Sequence, residues 1–350
     1  MSKSHKNTDL NKEVNKIAQI AIDAFGLSYE KTADSNLHEP LLRWCDFVLR
    51  YIPPIKRYIY KSDKFPINIS DDAKIGLQRI EELFVTGGNV NPYQSKTLTI
   101  FNDTSGKKEK KRTDGLWADW DIHHLHLPLK PADPNKKYSD RSDWILFLKI
   151  YNNAVLFIDI KHHDKNIEPF LFSQQDLLKT FVRNWPKEAE KNQMRGAVKL
   201  AIDEPLTDSD IGNLRGSGIN IPFEMDGKIY LSFGMGMTTA ITSLKVTWLC
   251  DNIHRYSEEI EKILLDEKKP FLKELQLQSI ENPEFKLMIF DDGNLGFYEE
   301  KSNKKWKCSR ENPNEPNDLF CLFNNSLMPY WASSVIISYG KNNNLLEKID

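Results

Sequence analysis

Two apolar runs, Trp144–Ile150 and Ala154–Ile160, flank the dipeptide Asn152-Asn153, and this arrangement limits the fold more tightly than any other stretch. Asn tolerates the positive φ of a two-residue reversal, so the pair predicts a β-hairpin. The hairpin sits inside Trp117–Lys165, which carries His123, His124, His126, His162 and His163, five of the eight histidines. A further strand is expected over Asp121–Leu127. Side chains alternate along a strand, so His124 and His126 share one face, and Asp121 and His123 share the other. In the second run, strict alternation puts Val155, Phe157, Asp159, Lys161 and His163 opposite Leu156, Ile158, Ile160 and His162. Histidines from distant positions are thereby brought to one sheet.

Bulk properties exclude little. A chain of 350 residues, 40% hydrophobic and 28% charged with a net charge of −2, reads as a globular protein of one large or two ordinary domains. Any nucleic-acid binding has to rest on a local patch, since the overall charge does not supply it. One candidate patch is Lys107–Arg112 (KKEKKR), read either as a solvated loop or as a basic arm reaching phosphate. Cys45, Cys250, Cys308 and Cys321 form no CxxC pair. They are expected as buried free thiols in a reducing cytosol rather than disulfides or a zinc knuckle. The N-terminus lacks an apolar leader core and no apolar run spans a bilayer, so a cytoplasmic protein without a membrane partner is expected.

Taken in order, the chain reads as α+β. Helices are expected over Leu10–Phe25, ended by Gly26; Leu41–Ile52, stopped by Pro53-Pro54; and Asp71–Phe84, capped by Ser70 and ended at Gly87-Gly88. They make residues 1–90 a helical module. Residues 91–265 read as a central domain with a mixed or antiparallel sheet, beginning with an edge strand at Thr97–Phe101. It continues through helix Gln174–Arg183, a short helix capped by Thr207 or Ser209, strand Lys228–Phe233 and a long helix Ser243–Leu265. Between the last two, GMGMTT is a structural turn; it matches neither dinucleotide nor P-loop patterns. Residues 266–350 form a small β-containing region with a hairpin at Asp291–Asn294 and a strand over Ser334–Gly340.

Three chemistries fit the histidine region. Metal-independent cleavage of RNA needs a base for the 2′-hydroxyl, an acid for the leaving oxygen and a cation for the phosphorane. Imidazoles can fill both proton roles, with Arg141, Lys149 or Lys161 holding phosphate. A magnesium nuclease of the PD-(D/E)xK type would instead pair Asp119 or Asp121 with Asp159-Ile160-Lys161, the carboxylates holding the metal and the Lys orienting water. A transition-metal site could combine His124, His126 and His163 or Asp159.

The order His-Leu-His, loop, Arg-Ser-Asp-Trp-Ile-Leu-Phe, short turn, apolar strand, His-His resembles the core sheet of RelE-type toxins, nearest to their YafQ branch. The resemblance covers about residues 119–165. It implies a messenger-RNA endonuclease working without a metal, in a toxin–antitoxin or phage-defence setting, with RNA, the ribosome and a protein antitoxin as partners. By the same resemblance, His124 or His126 matches the first catalytic His, Asp143 the P-D-W Asp, and His163 or His162 the terminal His. Ser142 stands where the family has Pro, and Asp164 where it has Ser. The resulting expectation is an endoribonuclease. His124 and His126 serve as base or its orienting partner, and His163 serves as acid. Asp143 aligns a histidine, and Arg141 and Lys161 supply phosphate charge. A reading from another class is a non-catalytic binding or regulatory subunit whose histidines pack within the sheet.

Overall fold

The computed structural model describes residues 9–29, 39–65, 68–99, 113–197, 204–312, 315 and 318–347. The basic run Lys107–Arg112 lies outside them.

The first helices form where apolar spacing and caps coincide. Helix α1 (Leu10–Ala24) starts at Asp9, whose side chain accepts from Lys12 N, and buries Leu10, Val14, Ile17, Ala18 and Ala21 at helical spacing. Helix α2 spans Pro40–Arg50. After strand β1 (Tyr58–Lys61) comes α3 (Asp71–Thr86), capped by Ser70 and ended by Gly87 at φ 80°. Where an edge strand was expected, Ser95 Oγ takes the N–H of Thr97 and winds Lys96–Leu98 into a 3₁₀ turn. Residues 100 and 101 of that expected strand lie outside the described residues.

Helix α4 (Gly115–Trp120) leads into β2 (His123–His126), β3 (Trp144–Ile150) and β4 (Ala154–His162). The β3–β4 hairpin forms as expected. Its reversal spreads over residues 151–154, with Tyr151 N–H on the Ala154 carbonyl, and neither Asn takes a positive φ. Next come α5 (Gln175–Asn184), α6 (Pro186–Ala189) and α7 (Asp208–Gly216), the last opened by a Thr207–Asp210 capping box. Strands β5 (Phe223–Met225) and β6 (Lys228–Tyr230) make a small hairpin before α8 (Leu244–Leu264) and α9 (Pro270–Gln276). Strands β7 (Phe285–Phe290), β8 (Leu295–Glu299) and β9 (Lys304–Lys307) precede α10 (Leu319–Leu327), α11 (Tyr330–Asn342) and β10 (Leu346–Glu347). The Ser334–Gly340 segment, expected as a strand, is inside α11. Its β-branched composition is overridden because Ala332, Ser333, Ile336 and Gly340 fall on one buried stripe at helical spacing. The class is α+β.

Three consecutive modules were expected, but the chain forms two compact units, one of them discontinuous. Residues 1–49 and 246–350 make one, and residues 50–245 the other. In the first, the sheet runs β10-β7-β8-β9, and α1 packs on β7 and α11. Trp44 donates its indole N–H to the Leu327 carbonyl at 2.6 Å. All four cysteines are free and buried. No helix among the described residues is long and apolar enough to cross a membrane.

In the second unit, the sheet order is β1-β4-β3-β2, with β1 parallel to β4 and the other pairs antiparallel. Segment 58–61, assigned by sequence to a helical module, is therefore an edge strand of the histidine sheet. One face packs Leu125, Leu146, Leu148, Val155, Phe157 and Ile160 against α3 residues Ile80 and Phe84. The other packs Ile122, Ile145, Phe147, Leu156 and Ile158 against α5 residues Leu177, Leu178 and Phe181.

Candidate functional site

Strand β4 does not alternate strictly. Phe147 pairs with Asp159 and Leu148 with Phe157, so Ile158 is an extra residue, a β-bulge. Before it, Phe157 shares the α3 face with Leu148; after it, Asp159 lies with Phe147 and Lys161 with Ile145 on the opposite face. The expectation that Phe157, Asp159 and Lys161 share a face is thus corrected. The consequence is chemical. His124 pairs with Phe147 and His126 with Ile145 on that same α5-side face, and His163 follows Lys161 there, its N–H on the Asp143 carbonyl at 2.6 Å. Without the bulge, His163 would lie on the opposite side of the sheet from His124 and His126.

Three imidazoles therefore meet. The rings of His126 and His163 are 5.7 Å apart, and Phe172 lies 5.1 Å from His124 and 6.1 Å from His163. Phe172 keeps 38% of its surface exposed, so an apolar ring faces solvent among the imidazoles. His163, Arg141 and Asp143 are exposed, His126 is half-buried, and His124 is buried. His124 also borders a cleft of about 360 Å³ whose lining includes Asp114, Thr97, Ser173 and Arg215.

Electrostatics keep these rings neutral. Burial pushes His126 down to about 4, helped by His124, His163 and Arg141 against the opposing Ser142 carbonyl. Burial also lowers His124, opposed by Asp114, and lowers His163, helped by Arg141 and opposed by Asp143. Burial works to raise the Asp114 carboxyl, but His124, Arg50 and the Trp117 N–H outweigh it, and it stays ionised. A neutral imidazole offers one donor and one acceptor, the form a general base requires.

Other expected site residues lie elsewhere. His162 pairs with Trp144, its ring 5.2 Å away and edge-on, on the α3 face; the bulge that brings His163 in turns His162 out. Lys149 is 4% exposed, bonded to Asp121 at 3.0 Å and to the Trp120 carbonyl, beneath Phe181 and Phe233. It is a structural cation rather than a phosphate ligand. Asp121 accepts from both Lys149 and Lys245, and buried Asp119 accepts from Arg215 at 2.9 Å and from Ser232 Oγ at 2.7 Å. Both carboxylates, expected as alternative magnesium ligands, are spent on holding α4 against its neighbours. Asp159 and Lys161 form a partly buried pair at 3.4 Å, with Asp176 at 3.7 Å from Lys161. Burial raises the Asp159 carboxyl, opposed by Lys161 and Lys64. Among the described residues, no three His, Cys, Asp or Glu side chains gather as a metal's ligands would.

Sequence reasoning missed Asp114, Phe172 and Arg215. Asp114 carried one signal, as an N-cap before Gly115-Leu116; nothing local marks the other two, which reach the site through tertiary packing. Comparison with protein-family models, curated proteins and solved structures finds no match.

Proposed function

We propose that the chain is a metal-independent endoribonuclease acting at the His124–His126–His163 face. The observation that carries this reading is the meeting of imidazoles from β2 and the end of β4 around an exposed Phe172. A scissile phosphate set against the exposed edge of the His126–His163 pair meets both imidazoles. Neutral His126 takes the 2′-hydroxyl proton, the 2′-oxygen attacks phosphorus, and the 5′-oxygen leaves with a proton from His163, giving a 2′,3′-cyclic phosphate. The free protein holds His163 neutral, and the negative charge of a bound phosphate favours its protonated form. Arg141 supplies charge to the phosphorane, Asp143 orients His163, and Phe172 offers a ring on which an unpaired base stacks. By the sequence resemblance, the cellular role is that of a toxin-like or defence effector in the cytoplasm, acting on RNA or ribosome-bound message under control of a protein partner.

A second reading rests on the bulge. It turns Asp159 and Lys161 to the face of His124 and His126, and an Asp and a Lys side by side on a sheet face are two of the groups a magnesium-dependent DNA nuclease would use. Purified protein incubated with total RNA and with plasmid DNA, each with and without EDTA, separates the two. The expected result is RNA cleavage that persists in EDTA, ends in cyclic phosphate and fails on a substrate with 2′-deoxy at the cut. His163→Ala should slow it by about 10²–10⁴-fold at unchanged melting temperature, since that ring is exposed. Cleavage of DNA abolished by EDTA would replace the first reading with the second.

A further inference from the structure

The unit of residues 1–49 and 246–350 holds a cavity of about 240 Å³ that the histidine chemistry does not use. Three elements supply its aromatic wall. Phe271 comes from α9, Trp306 from β9 with Phe297 paired beside it on β8, and Phe320 from α10. The Phe271 and Trp306 rings lie 5.8 Å apart at 69°, and those of Phe271 and Phe320 lie 6.1 Å apart at 35°. Phe297, 6.1 Å from Phe320, is 1% exposed, whereas the other three rings are half-buried. The rings thus touch in a continuous series, and three of them keep surface open to a ligand.

The charge around this wall has one sign. Glu311 and Asp318 both line the cavity, and neither carboxylate meets a cation among the described residues. Asp318 uses Oδ1 to cap α10, accepting the Cys321 N–H at 3.0 Å, and Glu311 is exposed. The nearby cations are committed elsewhere. Lys307 pairs with Asp292, and Arg310 donates to the Gly293 and Met328 carbonyls and to Ser333 Oγ. Two buried thiols, Cys308 and Cys321, also line the space. Burial raises both, and the carboxylates add to it, Asp318 for Cys308 and Asp318 with Glu311 for Cys321. The thiols therefore stay neutral in a negative field.

Aromatic surface beside unmatched carboxylates suits a cation whose own surface is apolar, since ring and carboxylate both attract its charge. A primary ammonium has three N–H donors to satisfy, and an aromatic wall offers them no strong acceptors. The cavity is smaller than the roughly 300–1,000 Å³ of most ligand pockets, so it takes a compact head group. We infer that it is a binding site for a small methylated ammonium ion of the choline type, its methyl groups against Phe271, Trp306 and Phe320 and its charge facing Glu311 and Asp318. A phosphate or carboxylate on the same molecule would be set against that acidic rim, so the ligand carries net positive charge. The cavity and the histidine face belong to different units, and each reading stands or falls without the other.

Calorimetric titration of the full chain with choline, dimethylbutanol, ethanolamine and phosphocholine tests this. Dimethylbutanol has the shape of choline without its charge, ethanolamine has the charge without the methyl groups, and phosphocholine adds an anion. Choline should bind about tenfold more tightly than each of the others. Glu311→Gln removes a charge at an exposed side chain and should weaken choline binding about threefold at unchanged melting temperature. Asp318→Asn should do the same while keeping the helix cap, since Asn also serves there. Trp306→Leu should abolish the preference for choline over dimethylbutanol, and Trp306→Phe should retain part of it. No binding of choline, or equally tight binding of any of the other three, would overturn the inference. So would choline affinity unmoved by both Glu311→Gln and Asp318→Asn.

Discussion

Five histidines within forty-one positions look equivalent in sequence, yet each has its own environment. His124 is buried with an unsatisfied nitrogen beside Asp114, and His163 is exposed next to Arg141. His162 stacks edge-on against Trp144, and His123 is sealed beside Trp117. Burial holds both His123 and His126 at about 4, against an ordinary 6.5. In the unfolded chain both rings take up a proton near 6.5, so between 6.5 and 4 the unfolded state binds more protons than the folded one. Stability is therefore greatest above that window and is lost as pH falls through it. Each tenfold change in proton affinity is worth about 1.4 kcal/mol. Denaturant titrations from pH 7.5 down to 4.5 should show a progressive fall in unfolding free energy, and replacing His126 with Gln should flatten the curve.

At the scale of elements, one extra residue in β4 decides which side chains can act together. The bulge at Ile158 reverses the phase of Asp159, Lys161 and His163, and so delivers them to the face of His124 and His126. On the opposite face, α3 approaches the end of β2 so closely that a Cβ on Gly76 would lie 2.7 Å from the backbone C and O of Leu127. Ala within a helix ordinarily stabilises by about 0.5–1 kcal/mol relative to Gly. Here the contact is with backbone, which cannot swing aside, so Gly76→Ala should destabilise by roughly 1–3 kcal/mol. Urea unfolding of that variant beside Gly216→Ala, where the added methyl meets open space, should give shifts of opposite sign.

For the whole molecule, the division between residues 49 and 50 and between 245 and 246 predicts which piece folds alone. A fragment of residues 50–245 should give a cooperative thermal transition and dispersed amide resonances. A fragment of residues 1–90 should not, because its strand 58–61 would lack β4. What the sequence determined by itself is what depends on near neighbours. The caps at Ser70 and Thr207, the stop at Gly87, the hairpin, and the shared face of His124 and His126 all follow from local spacing and side-chain reach. Tertiary structure decided the rest, because the deciding forces act between residues far apart in the chain. Pairing with β3 placed the bulge that sorts His163 from His162, and buried cations claimed Asp119 and Asp121. A buried stripe made a β-rich segment helical, and side chains from Thr97 to Ile241 were brought together around one cleft. Spacing can say which residues share a strand face, but only packing says what stands across from them.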